Sequence, residues 1–222
     1  MMVPMSQIAM DLGLPPSYHS DDFVVSSSNR LAYDYVVRWP QWDSPFLWMY
    51  GPPACGKTHL LHILAEKARV PVHSQLDTSI SSSELFGSNN LLILDDIRIQ
   101  KAEETLFHAI NFAKEKGYSI VFSHRQPPAR LELMLPDLAS RLRAIPTAAI
   151  TDPDDVVLQA VMVKQLADRQ LSVPPEVVQF ILKRIDRSCL AVFEIVEQMD
   201  RASLEQGRTI TLPFIKTLFT NL

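Results

Sequence analysis

Gly51, Pro52, Pro53, Ala54, Cys55, Gly56, Lys57 and Thr58 fit the pattern G-x-x-x-x-G-K-[ST]. A loop of this kind turns backbone N–H groups toward phosphate oxygens, extends its lysine to the β and γ positions and uses its hydroxyl to hold Mg²⁺. The setting agrees, because residues 46–50 read as a buried strand and residues 57–69 carry apolar side chains at helical spacing. Strand, loop and helix in that order place the phosphates at a helix N-terminus, where unpaired N–H groups and the helix dipole both favour an anion. Ala54 stands where many such loops have a further glycine, so the loop must accommodate a Cβ there.

A second chemical feature follows at residues 91–96, four aliphatic residues closed by Asp95 and Asp96. A strand buried on both faces and ending in acid puts its carboxylates on the ligand-facing edge of a parallel sheet. Beside a phosphate loop, Asp95 reads as the carboxylate on the Mg²⁺ side and Asp96 as the group that polarises an attacking water. Ser123, His124 and Arg125 close another apolar strand at residues 118–122, as contacts to a γ-phosphate or as turn residues.

The elements that must position these groups can be read outward from them. Phe23, in an apolar stretch one element before the loop, either walls a base pocket or packs as ordinary core; Ser26 to Asn29 offer N-caps for a helix through Val37. A short strand is expected at 71–75, a polar loop at 77–83, a helix at 103–116 stopped by Gly117, a helix at 136–143 and a last strand at 144–150. Arg141 and Arg143 on the 136–143 helix are either solvated charges or, for one of them, a finger serving a neighbour's phosphoryl-transfer site. From Asp152, Pro153, Asp154 and Asp155, a strong helix start, only helices are expected: 154–169, 175–185, 188–206 with Gly207 as its stop, and 212–220. The predicted architecture is α/β, a parallel sheet flanked by helices over residues 15–150, with a small all-α domain over 151–222 and a hinge near Thr151.

Composition limits the partners. The 222 residues are 47% hydrophobic and 21% charged, enough to bury a core. A net charge of -4 gives no broad electrostatic footprint for nucleic acid. Two cysteines, Cys55 and Cys189, make neither a disulfide framework nor a metal-ligand spacing and suit a reducing cytoplasm. No apolar run of about 18 residues is present, so no membrane partner is expected. Residues 1–14 read as a leader in which Gln7, Ile8, Met10 and Leu12 either anchor to a partner's pocket or pack on the chain's own domain.

Phosphate loop, Asp95-Asp96 strand end, polar strand end, Ser140-Arg141-Leu142 helix and helical lid together resemble the AAA+ ATPases, and among them the family of the replication initiator DnaA. Residues 51–59, 91–96, Pro127-Pro128, 135–142 and Met199-Asp200-Arg201-Ala202-Ser203 are most similar to the Hda regulators of that family, and the likeness covers nearly the whole chain. It implies a P-loop AAA+ core with a small helical lid, binding ADP or ATP with Mg²⁺ through the loop and His59, with Phe23 at the base. Lys57 would hold phosphate, Thr58 and Asp95 the metal, and Arg141 would be the arginine finger. Gln7, Ile8, Met10 and Leu12 correspond to the leader that docks on the sliding clamp, the β subunit of DNA polymerase III.

The implied function is negative regulation of replication initiation, by stimulating ATP hydrolysis in DnaA, with at most weak ATPase of its own. The alternatives are an autonomous ATPase resembling a helicase loader, or a decoy that binds DnaA without accelerating it. A homo-oligomer built on Arg-to-nucleotide contacts is compatible with the family. No helix-turn-helix pattern follows the lid, so sequence-specific DNA binding is not expected. Two departures stand out: His124 replaces an acid usual before Arg125, and Leu190 stands where relatives carry a nucleotide-sensing arginine, with Arg187 one turn earlier as its substitute.

Overall fold

The computed structural model describes residues 18–206 and 210–220. Five strands form one sheet, β1 (Phe46–Tyr50), β2 (Val72–His73), β3 (Leu91–Asp95), β4 (Ser119–His124) and β5 (Thr147–Ala149), in the order β2-β3-β4-β1-β5. Every neighbouring pair is parallel. All five carboxyl ends therefore share one edge, and the loop following β1 lies where the strand order reverses, the position at which such sheets hold ligands.

The alternation of side chains along each strand feeds two separate cores. Phe46 and Trp48, Leu92 and Leu94, Ile120 and Phe122 face one side; Leu47 and Met49, Leu91 and Ile93, and Val121 face the other. On the first side lie α3 (Ser82–Phe86), α4 (Glu103–Lys116) and α5 (Pro136–Arg143), whose Phe86, Leu106, Ile110, Leu138 and Leu142 complete that core. On the second lie α1 (Arg30–Arg38) and α2 (Lys57–Ala68), contributing Ala32, Val36, Leu60, Leu61 and Leu64. A sheet covered on both faces explains strands with no polar alternation.

The C-terminal region is helical: α6 (Asp155–Asp168), α7 (Pro175–Leu182), α8 (Cys189–Gln206) and α9 (Leu212–Thr220) surround a core of their own that includes Leu158, Met162, Ile181, Val196 and Ile215. Val24 and Ala54 from the α/β part pack against it. Lys164 of α6 pairs with Asp22 at 3.0 Å, and the Thr151 N–H donates to the Ser28 carbonyl at 3.0 Å. The segment expected to act as a hinge is thus tied to the backbone just ahead of α1.

Several local expectations are corrected. Residues 77–83, read as loop, hold the start of α3, opened by a capping box in which Ser81 and Glu84 each bond the other's backbone N–H. Asn29 occupies the α1 N-cap, but its side chain turns back to accept from the Ser26 N–H and donate to the Val24 carbonyl. Of the four residues read as a helix start, Asp154 is the cap of α6, accepting from the Val157 N–H at 3.0 Å, and Asp152 and Pro153 lie ahead of the helix. The last strand is shorter than expected because Ile145 N–H still bonds back to Leu142 and the chain extends only from Thr147. Gly207 lies outside the described residues.

Candidate nucleotide site

The phosphate loop follows β1 directly and leads into α2. Gly51 is required by crowding, since a Cβ there would meet the Ile150 carbonyl oxygen at 2.3 Å and the Cys55 sulfur at 2.9 Å. Gly56 is required by backbone angle, its φ being +100°, and the Phe23 ring lies over it, 3.0 Å from where a Cβ would be. Ala54 takes φ 59° with its Cβ against the C-terminal helical core; a left-handed alanine costs about 1–2 kcal/mol. The loop thus accommodates the extra methyl by placing it on the lid.

Lys57 is the first residue of α2 and only 8% exposed, and its ammonium donates to the carbonyls of Gly51 at 2.9 Å and Pro52 at 2.8 Å. The Cys55 sulfur is 3.6 Å away. Burial raises the Cys55 pKa, an effect partly offset by the Lys57 charge and hydrogen bonds. A buried ammonium satisfied by its own loop's carbonyls is positioned to turn to phosphate oxygens in the loop's concavity.

One residue on, the Thr58 hydroxyl donates to Asp95 Oδ2 at 2.7 Å, and the Ser123 hydroxyl donates to Asp95 Oδ1. Ser123, 2% exposed, also accepts from the Asp96 N–H at 3.1 Å, while that N–H reaches the Ser123 carbonyl at 3.2 Å. Asp96 has φ 46°, and its exposed carboxylate is 3.4 Å from Arg125 Nε. The β3–β4 register, which sets Asp95 beside Ser123, thus aims one carboxylate at Thr58 and the next outward.

A hydroxyl and a carboxylate at the head of the loop form an oxygen donor set suited to Mg²⁺, which takes few protein ligands and completes its shell with phosphate and water. Among the described residues no group of three or more His, Cys, Asp or Glu could hold a metal without such help.

His124 faces the same edge, 5.6 Å from the Trp48 ring, and its Nδ1 accepts the Gln126 N–H at 3.0 Å, leaving the proton of the neutral ring on Nε2. Burial holds its pKa below the ordinary histidine value, against the raising influence of Asp96. At the other end of the loop, His59 bonds the His19 carbonyl through Nε2 at 2.8 Å and meets Phe23 edge-on at 5.2 Å; burial lowers its pKa as well. Phe23 also stacks on Tyr33 at 6.0 Å, so an aromatic wall stands beside Gly56.

A family model of the bacterial DnaA ATPase domain matches residues 14–88, and one of the Hda lid domain matches residues 155–219. The chain is a DnaA/Hda-like AAA+ protein. DnaA from Thermomicrobium roseum is 30% identical over 205 aligned residues, an alignment spanning 78% of this chain and 43% of that protein. The chain thus spans under half the length of this relative. Domain III of Thermotoga maritima DnaA superposes with a TM-score of 0.76 at 20% identity, covering 94% of this chain and 98% of that one. AMPPCP-bound DnaA from Aquifex aeolicus gives a TM-score of 0.64 at 21% identity, over 84% of this chain and 65% of that one.

Within this AAA+ fold the expected residues are distributed over three places. Gly51 to His59, Asp95, Asp96 and Phe23 gather at the carboxyl edge of the sheet. Arg141 lies on α5, its guanidinium 4.8 Å from the Phe107 ring centroid and half-buried. Arg187 is exposed and pairs with Asp155 at 2.8 Å, and Leu190 is exposed. Gln7, Ile8, Met10 and Leu12 lie outside the described residues.

Two functional contacts escaped the sequence reading. Ser123 was legible only as a polar strand end. Glu103, read as the first residue of a helix, is 7% exposed and accepts from the Met134 and Leu135 N–H groups at 3.0 and 2.7 Å, securing the backbone ahead of α5.

Proposed function

We propose that the chain is a nucleotide-dependent negative regulator of replication initiation. It binds ADP or ATP with Mg²⁺ in the loop of residues 51–58, is tethered to the sliding clamp by residues 7–12, and presents Arg141 to the ATP site of DnaA, whose hydrolysis it stimulates. The observation that carries this reading is Arg141, which lies over the Phe107 ring with no carboxylate partner among the described residues, at the end of a helix on the α/β part. A guanidinium that keeps its charge in this way can stabilise charge developing on a phosphoryl group in a neighbouring molecule. Nucleotide binding is supported by the Lys57, Thr58 and Asp95 arrangement and by the AMPPCP complex of the Aquifex relative.

Mg²⁺, when bound, neutralises phosphate oxygens. The chain's own part is to hold them: Lys57 and the backbone N–H groups of the loop supply positive potential, and Thr58 and Asp95 supply oxygens. Turnover is expected to be poor. His124 stands where an acid is expected, Asp96 faces Arg125, and Arg187 is engaged with Asp155. Tethering to the clamp would raise the effective concentration of Arg141 at a DNA-bound target without any new contact there.

The test is hydrolysis by DnaA-ATP with and without clamp loaded on DNA. Arg141→Ala should keep nucleotide and clamp binding yet lower the stimulated rate by roughly 10³-fold, whereas Lys57→Ala should lose nucleotide. Undiminished stimulation by Arg141→Ala would rule out the finger. Gln7→Ala combined with Met10→Ala should abolish clamp pull-down. The complete Lys57, Thr58 and Asp95 set also favours a second reading, an autonomous ATPase resembling a helicase loader. Turnover that rises with self-association or DNA and needs no DnaA would establish it.

A further inference from the structure

Residues 19–24 touch both the phosphate-loop helix and the C-terminal helices. Ser20–Asp22 form a single 3-10 turn, in which the Asp22 N–H donates to the His19 carbonyl at 3.1 Å and the Phe23 N–H to the Ser20 carbonyl at 3.2 Å. The same His19 carbonyl accepts from His59 Nε2 at 2.8 Å, so the turn is tied to α2 one residue beyond Thr58. On the other side the Asp22 carboxylate meets the Lys164 ammonium of α6 at 3.0 Å, and Val24 packs against the helical core. Phe23 follows directly, its ring over Gly56. The path from the lid to the loop is therefore short: Lys164, Asp22, the His19 carbonyl, His59. Lys164 has a second carboxylate, Asp168 at 3.3 Å, but that pair lies within α6 and joins nothing to the α/β part.

We propose that Lys164 is a positioning residue for the nucleotide site: by holding Asp22 it ties the lid to the turn that carries Phe23 over Gly56, and so slows the departure of a bound nucleoside diphosphate. The nucleotide part of this inference rests on the phosphate-site reading above, whereas the link from lid to turn does not. A lid that swings away from the loop must first part Lys164 from Asp22, and release of a bound ligand waits on such an opening. Without the lysine charge the turn keeps its bond to His59 but loses its ionic hold on α6, so the opening is more frequent. The effect is modest in size because the Lys164 and Asp22 side chains are 24% and 34% exposed, and a partly solvated ion pair is a weak one.

The experiment loads the full-length chain with a fluorescent ADP and follows its release against excess unlabelled ADP. Lys164→Met, which keeps an apolar stem and removes the charge, should release ADP about threefold faster, and Lys164→Gln serves as a second variant in case the methionine disturbs the packing. Lys164→Arg should restore the slow rate, and Asp168→Asn, which removes only the partner within α6, should leave it unchanged. A second readout needs no nucleotide: hydrogen exchange at the Asp22 and Phe23 N–H groups, bonded within the turn, should quicken in Lys164→Met while exchange in β1 stays as it was. Release as slow in Lys164→Met and Lys164→Gln as in the unsubstituted chain, a fast release that Lys164→Arg does not restore, or an equal acceleration by Asp168→Asn would overturn the proposal. Faster exchange at the turn, with an unsubstituted chain that never binds ADP, would leave the link from lid to turn standing and overturn the phosphate-site reading.

Discussion

Ser123 does more for the acidic strand end than either aspartate does for itself. Its hydroxyl donates to Asp95 while accepting from the Asp96 N–H, so one buried group orients the Asp95 carboxylate and pins the Asp96 backbone. Replacing it with alanine leaves an Asp95 oxygen without that donor and the Asp96 N–H with only the longer bond to the Ser123 carbonyl. Ser123→Ala should therefore destabilise the fold by about 1–2 kcal/mol, read as a lower denaturation midpoint with unchanged slope in urea. An unchanged midpoint would mean the hydroxyl is replaced by water at no cost. The reason for missing this role is physical: the Ser123–Asp95 contact exists only because β3 and β4 pair in one register, and spacing along the chain does not encode it. Lys57 and Thr58, by contrast, were legible because their partners lie in one contiguous loop or at a predictable strand end.

At the scale of elements, strands were read well where apolar runs were long and less well where they were short. β1, β3 and β4 follow from runs such as Leu91 to Leu94, which can bury both faces. β2 and β5 shrink to two and three residues because neighbouring turns and helix ends claim the flanks. α3 was missed because its five residues carry too little periodicity, although Ser81 and Glu84 three apart signalled its cap. Glu103 joins two elements, its carboxylate gripping the backbone at Met134 and Leu135 from the first turn of α4. Hydrogen bonds to a charged acceptor in a buried setting contribute about 1.5–3 kcal/mol. Glu103→Ala should lose about 2 kcal/mol and speed hydrogen exchange at Met134 and Leu135 before it does so in β1. Uniform acceleration across the sheet would show that the grip is not local.

For the whole molecule, pH provides the test. His59, His73 and His124 all have pKa values lowered by burial, so the folded chain prefers each ring neutral. In the unfolded chain they titrate near the ordinary value of about 6.5. Stability that these sites contribute above that value is lost as pH falls through the folded pKa values, because the unfolded state takes up protons first. Melting temperature should be flat from about pH 8 to 7 and decline below about 6.5. His59→Gln and His124→Gln should flatten the decline, and a melting temperature that rises on acidification would refute the assignment. The carboxylates of Asp77, Glu84 and Asp154, whose pKa values are lowered by hydrogen bonds, act in a separate window at lower pH.

Phe107 and Glu103 belong to one helix, and between them they hold both the Arg141 guanidinium and the chain that leads into its helix. Arg141 is consequently anchored to the sheet-bound layer and not to the four C-terminal helices. If those helices rock when a ligand arrives or departs, the cation stays where it is, and under the proposed function a partner would meet a changing surface around a stationary charge.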